Sequence, residues 1–354
     1  MYDYYDWNKT MSYDADVTMV VGARGIGKTF GLRLWLIQRY LKRGIRYAEC
    51  VRYASDVPDF SASYALRISE HGFFDRYVFK SNAQGLYIAP RPDDGSKVKA
   101  SEWQQVAYFI PMTGAQKAKT RSFSNVRYVV LDEAIIDKDL NPYERYLPNE
   151  WEILANIVDT VTRERPGDLE KPHVFLLGNA VDLTNPYFIA AQIYDAPKPG
   201  FTWHNGNTFL LHYHNDAAYS AAKARDTVAG RMLSGTDAGI ANASNVFNES
   251  NNAFLQKQKP KNARYCFGIT YKSDSVAVWD CAANGYYYID SDIRQGALIF
   301  SLSTDGNKPN YIYAKRMNKA LRGITDMYTF GCVRFSNAMV KEIFERILSL
   351  FGVR

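Results

Sequence analysis

Eight residues near the start of the chain, Gly22-Ala-Arg-Gly-Ile-Gly-Lys-Thr29, have the types and spacing needed to hold a phosphate group. In the pattern GxxxxGK[ST], glycines let the backbone curl so that successive N–H groups point at phosphate oxygens. Lys28 can reach the β- and γ-phosphates of a nucleotide, and the Thr29 hydroxyl can ligate Mg²⁺. Arg24 can contact phosphate within the same chain. The pattern predicts a site for ATP and Mg²⁺ formed by Gly22, Arg24, Gly25, Gly27, Lys28 and Thr29.

Two adjacent acids, Asp132 and Glu133, follow an apolar segment from Arg127 to Leu131. A phosphate loop needs a second carboxylate at the end of a neighbouring strand. We expect Asp132 to hold the water shell of Mg²⁺, and Glu133 to polarise the attacking water as a general base or water-positioning group. Two acids can also cap the turn after a strand, but the phosphate loop upstream favours ATP hydrolysis.

Further polar residues end the next elements along the chain. Asn179 follows an apolar strand; it either closes that strand or senses the γ-phosphate, as a polar residue does there in additional-strand ATPases. Arg163 and Arg165 end a predicted helix. They either complement its C-terminus, or one of them reaches the γ-phosphate of a neighbouring subunit as an arginine finger.

Three basic residues, Lys117, Lys119 and Arg121, alternate along a loop from Thr113 to Ser124. Such a loop can contact the phosphate backbone of DNA without reading bases, or it can simply be solvated. The net charge of +6 permits a polyanionic partner. Because no apolar stretch approaches the ~18 residues that span a membrane, and the N-terminus lacks the features of a signal peptide, we expect a soluble intracellular protein without a membrane partner.

The elements that must position these residues alternate between strand and helix in the first part of the chain. The order predicts an α/β fold, a P-loop NTPase of the additional-strand (ASCE) type, with an open parallel sheet and helices on both faces. The predicted strands are Val17 to Val21, Ile45 to Val51, Ala107 to Ile110, Arg127 to Leu131 and His173 to Leu177, with a hairpin around Asn82 to Gly85. The predicted helices are Phe30 to Arg43 and Glu150 to Arg165, the second capped by Asn149.

The pattern changes near residue 220. Ala217 to Leu233 indicates a polar helix, and Gly235 to Lys261 has the composition of a linker. Three strands (Arg264 to Tyr271, Ser275 to Asp280 and Gly285 to Asp290) and a helix from Asn337 to Phe351 predict a small α+β domain. We therefore expect an ATPase domain over 1–215, a helical and linker region over 216–260, and a C-terminal domain over 261–354.

Taken together, the motifs resemble the DNA-packaging ATPase of small protein-primed tailed phages. Those that carry the resemblance are the phosphate loop, Asn125-Val126 before the Asp132-Glu133 strand end, Asp159-Thr160-Val161 before Arg163, Asn179-Ala180-Val181 followed by Asn185-Pro186-Tyr187-Phe188, and the Tyr288-Ile289-Asp290 strand end.

The resemblance implies a terminase-like motor that drives double-stranded DNA into a procapsid. It also implies a homomeric ring, a pentamer, docked on the portal vertex in the cytoplasm of the infected bacterial host. By the match, Arg163 is the family's trans-acting arginine, and Lys119 takes the place of a pore-lining lysine that contacts DNA. Whether a structural RNA joins the motor stays open.

The resemblance also implies an RNase H-like C-terminal domain. A two-metal nuclease needs clustered acids, usually with one on the first strand, and Arg264 to Tyr271 contains none. Asp290 and Asp292 alone are insufficient. We therefore expect a vestigial nuclease domain that contacts DNA or the procapsid.

Other classes of nucleotide-binding protein fit less well. The segment Asn307-Lys308-Pro309-Asn310 lacks the aspartate of a guanine-reading NKxD, and the signature of transporter ATPases is missing. The enzymatic alternatives are a helicase or a terminase with an active nuclease. A non-enzymatic alternative is an ATP-dependent switch in capsid assembly.

Overall fold

The computed structural model describes residues 5–137, 144–163, 170–180, 183, 185–193, 196–232, 254–271, 274–304, 309–314 and 318–350. They fall into two compact units, the first within 1–181, 190–193 and 197–247, and the second within 182–189, 194–196 and 248–354. Residues 217–232 belong to the first unit, whereas the sequence suggests a separate region from 216. The domain boundaries at 215 and 260 remain predictions.

The first unit is built on a nine-stranded sheet with the strand order β3-β4-β5-β2-β6-β7-β1-β9-β8. Six neighbouring strands, from β5 to β9 in that order, run parallel, and antiparallel strands close both edges. This arrangement confirms the predicted α/β class. The strands are β1 (Val17–Gly22), β2 (Arg46–Val51), β3 (Tyr77–Asn82), β4 (Gly85–Pro90), β5 (Gln104–Pro111), β6 (Val126–Leu131), β7 (His173–Gly178), β8 (Gly200–His204) and β9 (Phe209–His214).

The strands in the middle of this sheet are apolar along nearly their whole length because both of their faces are covered. Every residue of β6 and β7 is buried, including Arg127, whose guanidinium donates to the Thr162 carbonyl at 3.0 Å. The helices before residue 233 are α1 (Trp7–Met11), α2 (Lys28–Arg43), α3 (Val57–Ser69), α4 (Ala115–Ala118), α5 (Glu150–Thr162), α6 (Pro186–Ala190), α7 (Ala217–Asp226) and α8 (Val228–Met232).

Three details of the predicted helices are corrected. Helix α5 ends at Thr162 rather than at Arg165, because Arg163 has a left-handed backbone with φ of +36°. Asn149 does not cap that helix with its side chain, since its own φ is +57°. The single helix predicted from Ala217 is divided at Thr227 into α7 and α8. Arg165 lies outside the described residues.

The second unit has a six-stranded sheet with the strand order β14-β13-β10-β11-β12-β15. The central strands β10, β11 and β12 are antiparallel, and β13, β14 and β15 join in parallel, which agrees with the predicted RNase H-like class. Its elements are β10 (Arg264–Tyr271), β11 (Asp274–Cys281), β12 (Tyr286–Asp290), β13 (Ile299–Ser301), β14 (Tyr311–Tyr313), α9 (Lys319–Thr329), β15 (Val333–Phe335) and α10 (Ala338–Ser349).

The three strands predicted for this region are all present. The C-terminal helix begins after Asn337, whose side chain accepts a hydrogen bond from the Val340 amide and so caps it. None of the helices in the described ranges is long and apolar enough to cross a membrane.

Candidate nucleotide-binding site

The phosphate loop connects β1 to α2 at the carboxyl edge of the parallel sheet. Gly27 has φ of +80°, a conformation that glycine adopts without strain, and α2 begins at the next residue. At Gly22 the limit is space, because an added Cβ would lie 2.7 Å from Ile26 Cδ1 and 3.2 Å from the His214 carbonyl oxygen. The loop conformation therefore needs glycine at both positions, as the sequence pattern predicts.

The Lys28 side chain is buried and turned back onto its own loop. Its ammonium donates to the carbonyl oxygens of Gly22 and Ala23 at 2.7 and 2.9 Å. The main chain at Lys28 is fixed from another direction, because the Trp7 indole of α1 donates to the Lys28 carbonyl at 3.1 Å. Nucleotide phosphates would offer the ammonium charged acceptors in place of these neutral carbonyls, and hydrogen bonds between charged groups are stronger.

Asp132 lies beside the phosphate loop, as the sequence predicts, but its strand is not the neighbour of β1, because β7 lies between β6 and β1. The Thr29 hydroxyl donates to Asp132 Oδ1 at 3.1 Å, and Arg33 approaches Asp132 Oδ2 at 3.8 Å. A hydroxyl next to a carboxylate is the kind of oxygen donor pair that Mg²⁺ takes from a protein, with phosphates and water completing its shell. The donors present thus fit Mg²⁺, and Thr29 and Asp132 would hold it.

Glu133 directly follows Asp132 and lines a cavity together with the phosphate loop. The residue is exposed at the surface, but burial of its carboxyl among neighbouring groups, followed by the charges of Asp132 and Glu144, raises its pKa; Arg24 and Arg52 act in the opposite direction. A carboxyl with a raised pKa is a better proton acceptor than an ordinary one. Glu133 also has φ of +53°, which is uncommon for a residue with a side chain.

A buried ion pair holds the backbone that carries Glu133. Arg52 follows β2 and binds Glu150 at the start of α5, with N–O distances of 3.1 to 3.2 Å. The same guanidinium donates to the carbonyl oxygens of Glu133 and Ala134 at 3.2 Å. Sequence reasoning misses Arg52 and Glu150, because nothing in their local patterns shows that they meet across 98 residues.

Asn179 lies directly after β7 and faces the phosphate loop. In one orientation its amide oxygen accepts from Lys28 Nζ at 3.3 Å. In the other orientation its nitrogen donates to the Gly22 carbonyl at 3.1 Å and its oxygen accepts from Arg24 Nε at 3.2 Å. Arg24 itself is half exposed, with Asp137 at 3.7 Å. Asn179 thus contacts the phosphate loop in both orientations.

One cavity of about 620 Å³ brings these predicted residues together. That volume is within the range of sites for small ligands. The residues that line it are Arg24, Gly25, Gly27, Lys28, Thr29, Phe30, His71, Asp132, Glu133, Gly178 and Asn179. Three of them, Phe30, His71 and Gly178, are not among the site residues predicted from the sequence.

Arg163 lies elsewhere in the first unit, in a second cavity of about 990 Å³ that also includes Lys119. This cavity is bordered by Val17 and Val174, which lie at the starts of β1 and β7, whereas the phosphate loop follows the end of β1. A six-residue strand spans about 17 Å. Arg163 therefore lies near the amino ends of the parallel strands, whereas the phosphate loop of the same chain lies at their carboxyl ends.

The three predicted DNA-contacting residues differ in their surroundings. Lys117 and Lys119 are exposed at the end of the short helix α4, which replaces part of the predicted loop. Arg121 is partly buried and donates to the carbonyl oxygens of Phe109 and Gln84 at 3.4 and 3.3 Å. Arg121 is therefore held by the fold to an extent that the two lysines are not.

In the second unit, Asp290 and Asp292 share a lysine. Lys259 Nζ donates to Asp290 Oδ2 at 2.9 Å and to Asp292 Oδ2 at 3.1 Å, and the Trp279 indole donates to Asp290 Oδ1 at 2.8 Å. An ammonium thus lies between the acids, where a nuclease would need a divalent cation. Within the described ranges there is no cluster of three or more His, Cys, Asp or Glu side chains that could hold a metal ion.

Comparison with known proteins gives consistent matches along the chain. The model of the Podovirus DNA encapsidation protein (Gp16) family matches residues 2–351. The DNA packaging protein of Bacillus phage phi29 is 28% identical over 343 residues, covering 96% of this chain and 95% of that protein. The DNA packaging protein of Bacillus phage B103 is 27% identical over 336 residues, covering 94% and 96%.

Among solved structures, a chain of the bacteriophage Phi-29 viral genome packaging motor assembly superposes with a TM-score of 0.70. It is 26% identical in sequence, and the match covers 98% of both chains.

Proposed function

The chain belongs to the Podovirus DNA encapsidation protein (Gp16) family, and from that premise we propose that it is the ATPase of a motor that moves double-stranded DNA into a procapsid. The proposal of ATPase activity is supported by one observation above all: a single cavity is lined by Lys28, Thr29, Asp132 and Glu133. The DNA-moving part is supported by the relatives, which are described as DNA packaging proteins and as part of a genome packaging motor.

ATP is the substrate of the proposed site. Lys28 turns its ammonium from the carbonyls of Gly22 and Ala23 to the β- and γ-phosphates. Thr29 and Asp132 would hold Mg²⁺, which when bound would supply positive charge that stabilises the charge on the phosphate oxygens. Glu133 orients the attacking water and withdraws its proton, for which its raised pKa suits it. Asn179, which contacts the phosphate loop directly after β7, senses the γ-phosphate with its side-chain amide.

Arg163 acts on the neighbouring subunit. It lies about one strand length from its own phosphate loop, so it cannot reach its own γ-phosphate. In a ring of identical subunits packed head to tail, the carboxyl end of one subunit's parallel strands faces the amino end of the strands in its neighbour. Arg163 then completes the neighbour's site as an arginine finger.

DNA contacts come from exposed lysines of the first unit, with Lys119 and Lys117 as the proposed backbone contacts and Arg121 as a supporting residue. The motor is a pentameric ring at the portal vertex of a procapsid, in the cytoplasm of the infected host. The second unit contacts DNA or the procapsid and does not cleave DNA, because Lys259 occupies its acidic pair.

The test is the ATPase rate of the full-length protein alone, with duplex DNA, with procapsids, and with both. A motor hydrolyses ATP fastest when DNA and procapsids are present together, and the DNA becomes protected from added nuclease. Stimulation by procapsids alone would indicate an assembly switch, and strand separation would indicate a helicase. A rate indifferent to both components would refute the proposal, and ribonuclease-treated procapsids tell whether a structural RNA takes part.

A further inference from the structure

Three aromatic rings lie together beside the phosphate cavity. Phe30 directly follows Thr29, and its ring centroid is 4.6 Å from that of His71 and 5.9 Å from that of Phe73. Phe30 and His71 both line the cavity. The rings of His71 and Phe73 are themselves 6.5 Å apart, so the three form one contiguous cluster.

Core packing does not account for this cluster. Phe30 is partly buried against the core, but His71 is exposed and Phe73 is 51% exposed. A large ring left in water at the rim of a cavity forgoes the free energy that its burial would contribute. The cluster therefore presents accessible ring surface beside the cavity.

The segment that carries His71 and Phe73 is fixed by main-chain hydrogen bonds. Arg91, at the end of β4, donates from its side chain to the carbonyls of Asp75 and Tyr77 at 2.7 and 3.3 Å, and its amide donates to the Arg76 carbonyl at 2.8 Å. The Glu70 amide continues the bonding of α3 to the Leu66 carbonyl at 3.0 Å. The main chain is thus held on both sides of His71 and Phe73.

We propose that Phe30, His71 and Phe73 form a stacking platform for the base of the bound nucleoside triphosphate. This inference rests on the proposed function, because it assigns the remaining end of the same site. In the proposed function the acids and Asn179 meet the γ-phosphate, so the base must lie against other residues that line the cavity. Phe30 and His71 are the lining residues that are aromatic, and flat bases pair favourably with aromatic faces.

Stacking recognises a ring system rather than its hydrogen-bonding edge. The platform should therefore favour purines over pyrimidines, since a larger ring covers more of the aromatic surface, and should separate ATP from GTP only weakly. Loss of stacking on one side chain costs about 1 to 3 kcal/mol per base, which is about a 5- to 150-fold change in affinity.

The test measures Mg²⁺-dependent binding of ATP, CTP and inorganic tripolyphosphate to the full-length protein by calorimetry. Tripolyphosphate carries the phosphates without a base. We expect the wild type to bind ATP about 10-fold or more tightly than tripolyphosphate. His71→Ser should weaken ATP binding about 10-fold and leave the affinity for tripolyphosphate unchanged. His71→Phe, which keeps an aromatic ring, should bind ATP about as tightly as the wild type. Phe30→Leu, which keeps the apolar contact with the core, should weaken ATP binding in the same selective way.

Leu66→Ser is the matched control, because Leu66 is an exposed apolar residue on the neighbouring helix α3. It should change neither affinity. If the wild type binds ATP no more tightly than tripolyphosphate, or if His71→Ser and Phe30→Leu leave ATP binding intact, the platform is wrong while the phosphate site stands. If the wild type binds neither ligand, the proposed ATPase function itself fails.

Discussion

Replacement of Arg163 by alanine tests whether this arginine acts on a neighbour. Its side chain is exposed in a cavity at the amino edge of the sheet, about 17 Å from the phosphate loop along β1. Because Arg163 makes no contribution to its own pocket, Arg163→Ala should leave the affinity for ATP near that of the wild type. If the arginine stabilises the transition state in trans, kcat should fall by about 10³-fold or more.

Mixing two inactive variants distinguishes action in trans from action in cis. An Arg163→Ala subunit retains Glu133, and a Glu133→Gln subunit retains Arg163. In rings assembled from equal amounts of the two, about one quarter of the interfaces join an intact pocket to an intact arginine. We therefore expect a DNA-stimulated ATPase rate that neither variant gives alone, approaching about a quarter of the wild-type rate if the interfaces act independently.

Arg43→Ala serves as the control for a lost surface charge. Arg43 is 59% exposed and pairs with Glu170 at 3.0 Å at the end of α2. Such a pair contributes at most about 1 kcal/mol, so this variant should keep its ATPase rate. Full activity of Arg163→Ala, or no recovery in mixed rings that native mass spectrometry shows to be mixed, would refute the trans assignment.

The remaining predictions concern the pocket and the core. Glu133→Gln should bind ATP normally but hydrolyse it about 10²- to 10⁴-fold more slowly in a single-turnover assay; retained turnover would contradict its role. Asp132→Asn should raise the Mg²⁺ concentration for half-maximal ATPase activity, and an unchanged Mg²⁺ dependence would remove Asp132 from the metal site. Burial lowers the pKa of His173 to about 4 from an ordinary 6.5. As the pH falls, the imidazole is therefore protonated in the unfolded chain at a higher pH than in the folded protein. His173 therefore contributes stability above pH 6.5 that is lost toward pH 4, up to about 3 kcal/mol; urea unfolding of His173→Gln should show a smaller loss over that range, and an equal loss would refute the assignment.

The parts of the fold that the sequence predicts are those with a local physical signal. Strand β6 is mostly apolar and is followed directly by two acids. Strand β1 is joined to α2 by glycines with the spacing of a phosphate-binding loop. The glycine pattern predicts the phosphate loop residue by residue, and the end of β6 predicts Asp132 and Glu133. These predictions needed no knowledge of which strands are neighbours, only that parallel strands end at a common edge.

The features that the sequence does not predict depend on partners distant in the chain. Arg33 and Glu49 form a buried ion pair at 3.2 Å through Nε, and Tyr64 of α3 donates to the same carboxylate, yet each residue alone looks like a surface residue. The end of α5 is another case, because the polar residues after Val161 contain no signal that marks the turn of the backbone at Arg163. Tertiary contacts override helix propensity at such positions.

The placement of the two cavities has a consequence for how the motor must assemble. The phosphate loop is at the carboxyl end of the parallel strands and Arg163 is near their amino end. If Arg163 acts in trans as proposed, one subunit therefore carries half of each of two different catalytic sites. An interface between the amino end of one sheet and the carboxyl end of the next is heterologous, because it joins two different surfaces. Only a closed ring of such interfaces completes the nucleotide site of every subunit. Each subunit then receives an arginine from one neighbour and gives its own to the other. In the proposed motor, hydrolysis therefore depends on the geometry of the interface, and a change in that interface after hydrolysis is the step through which ATP can move DNA.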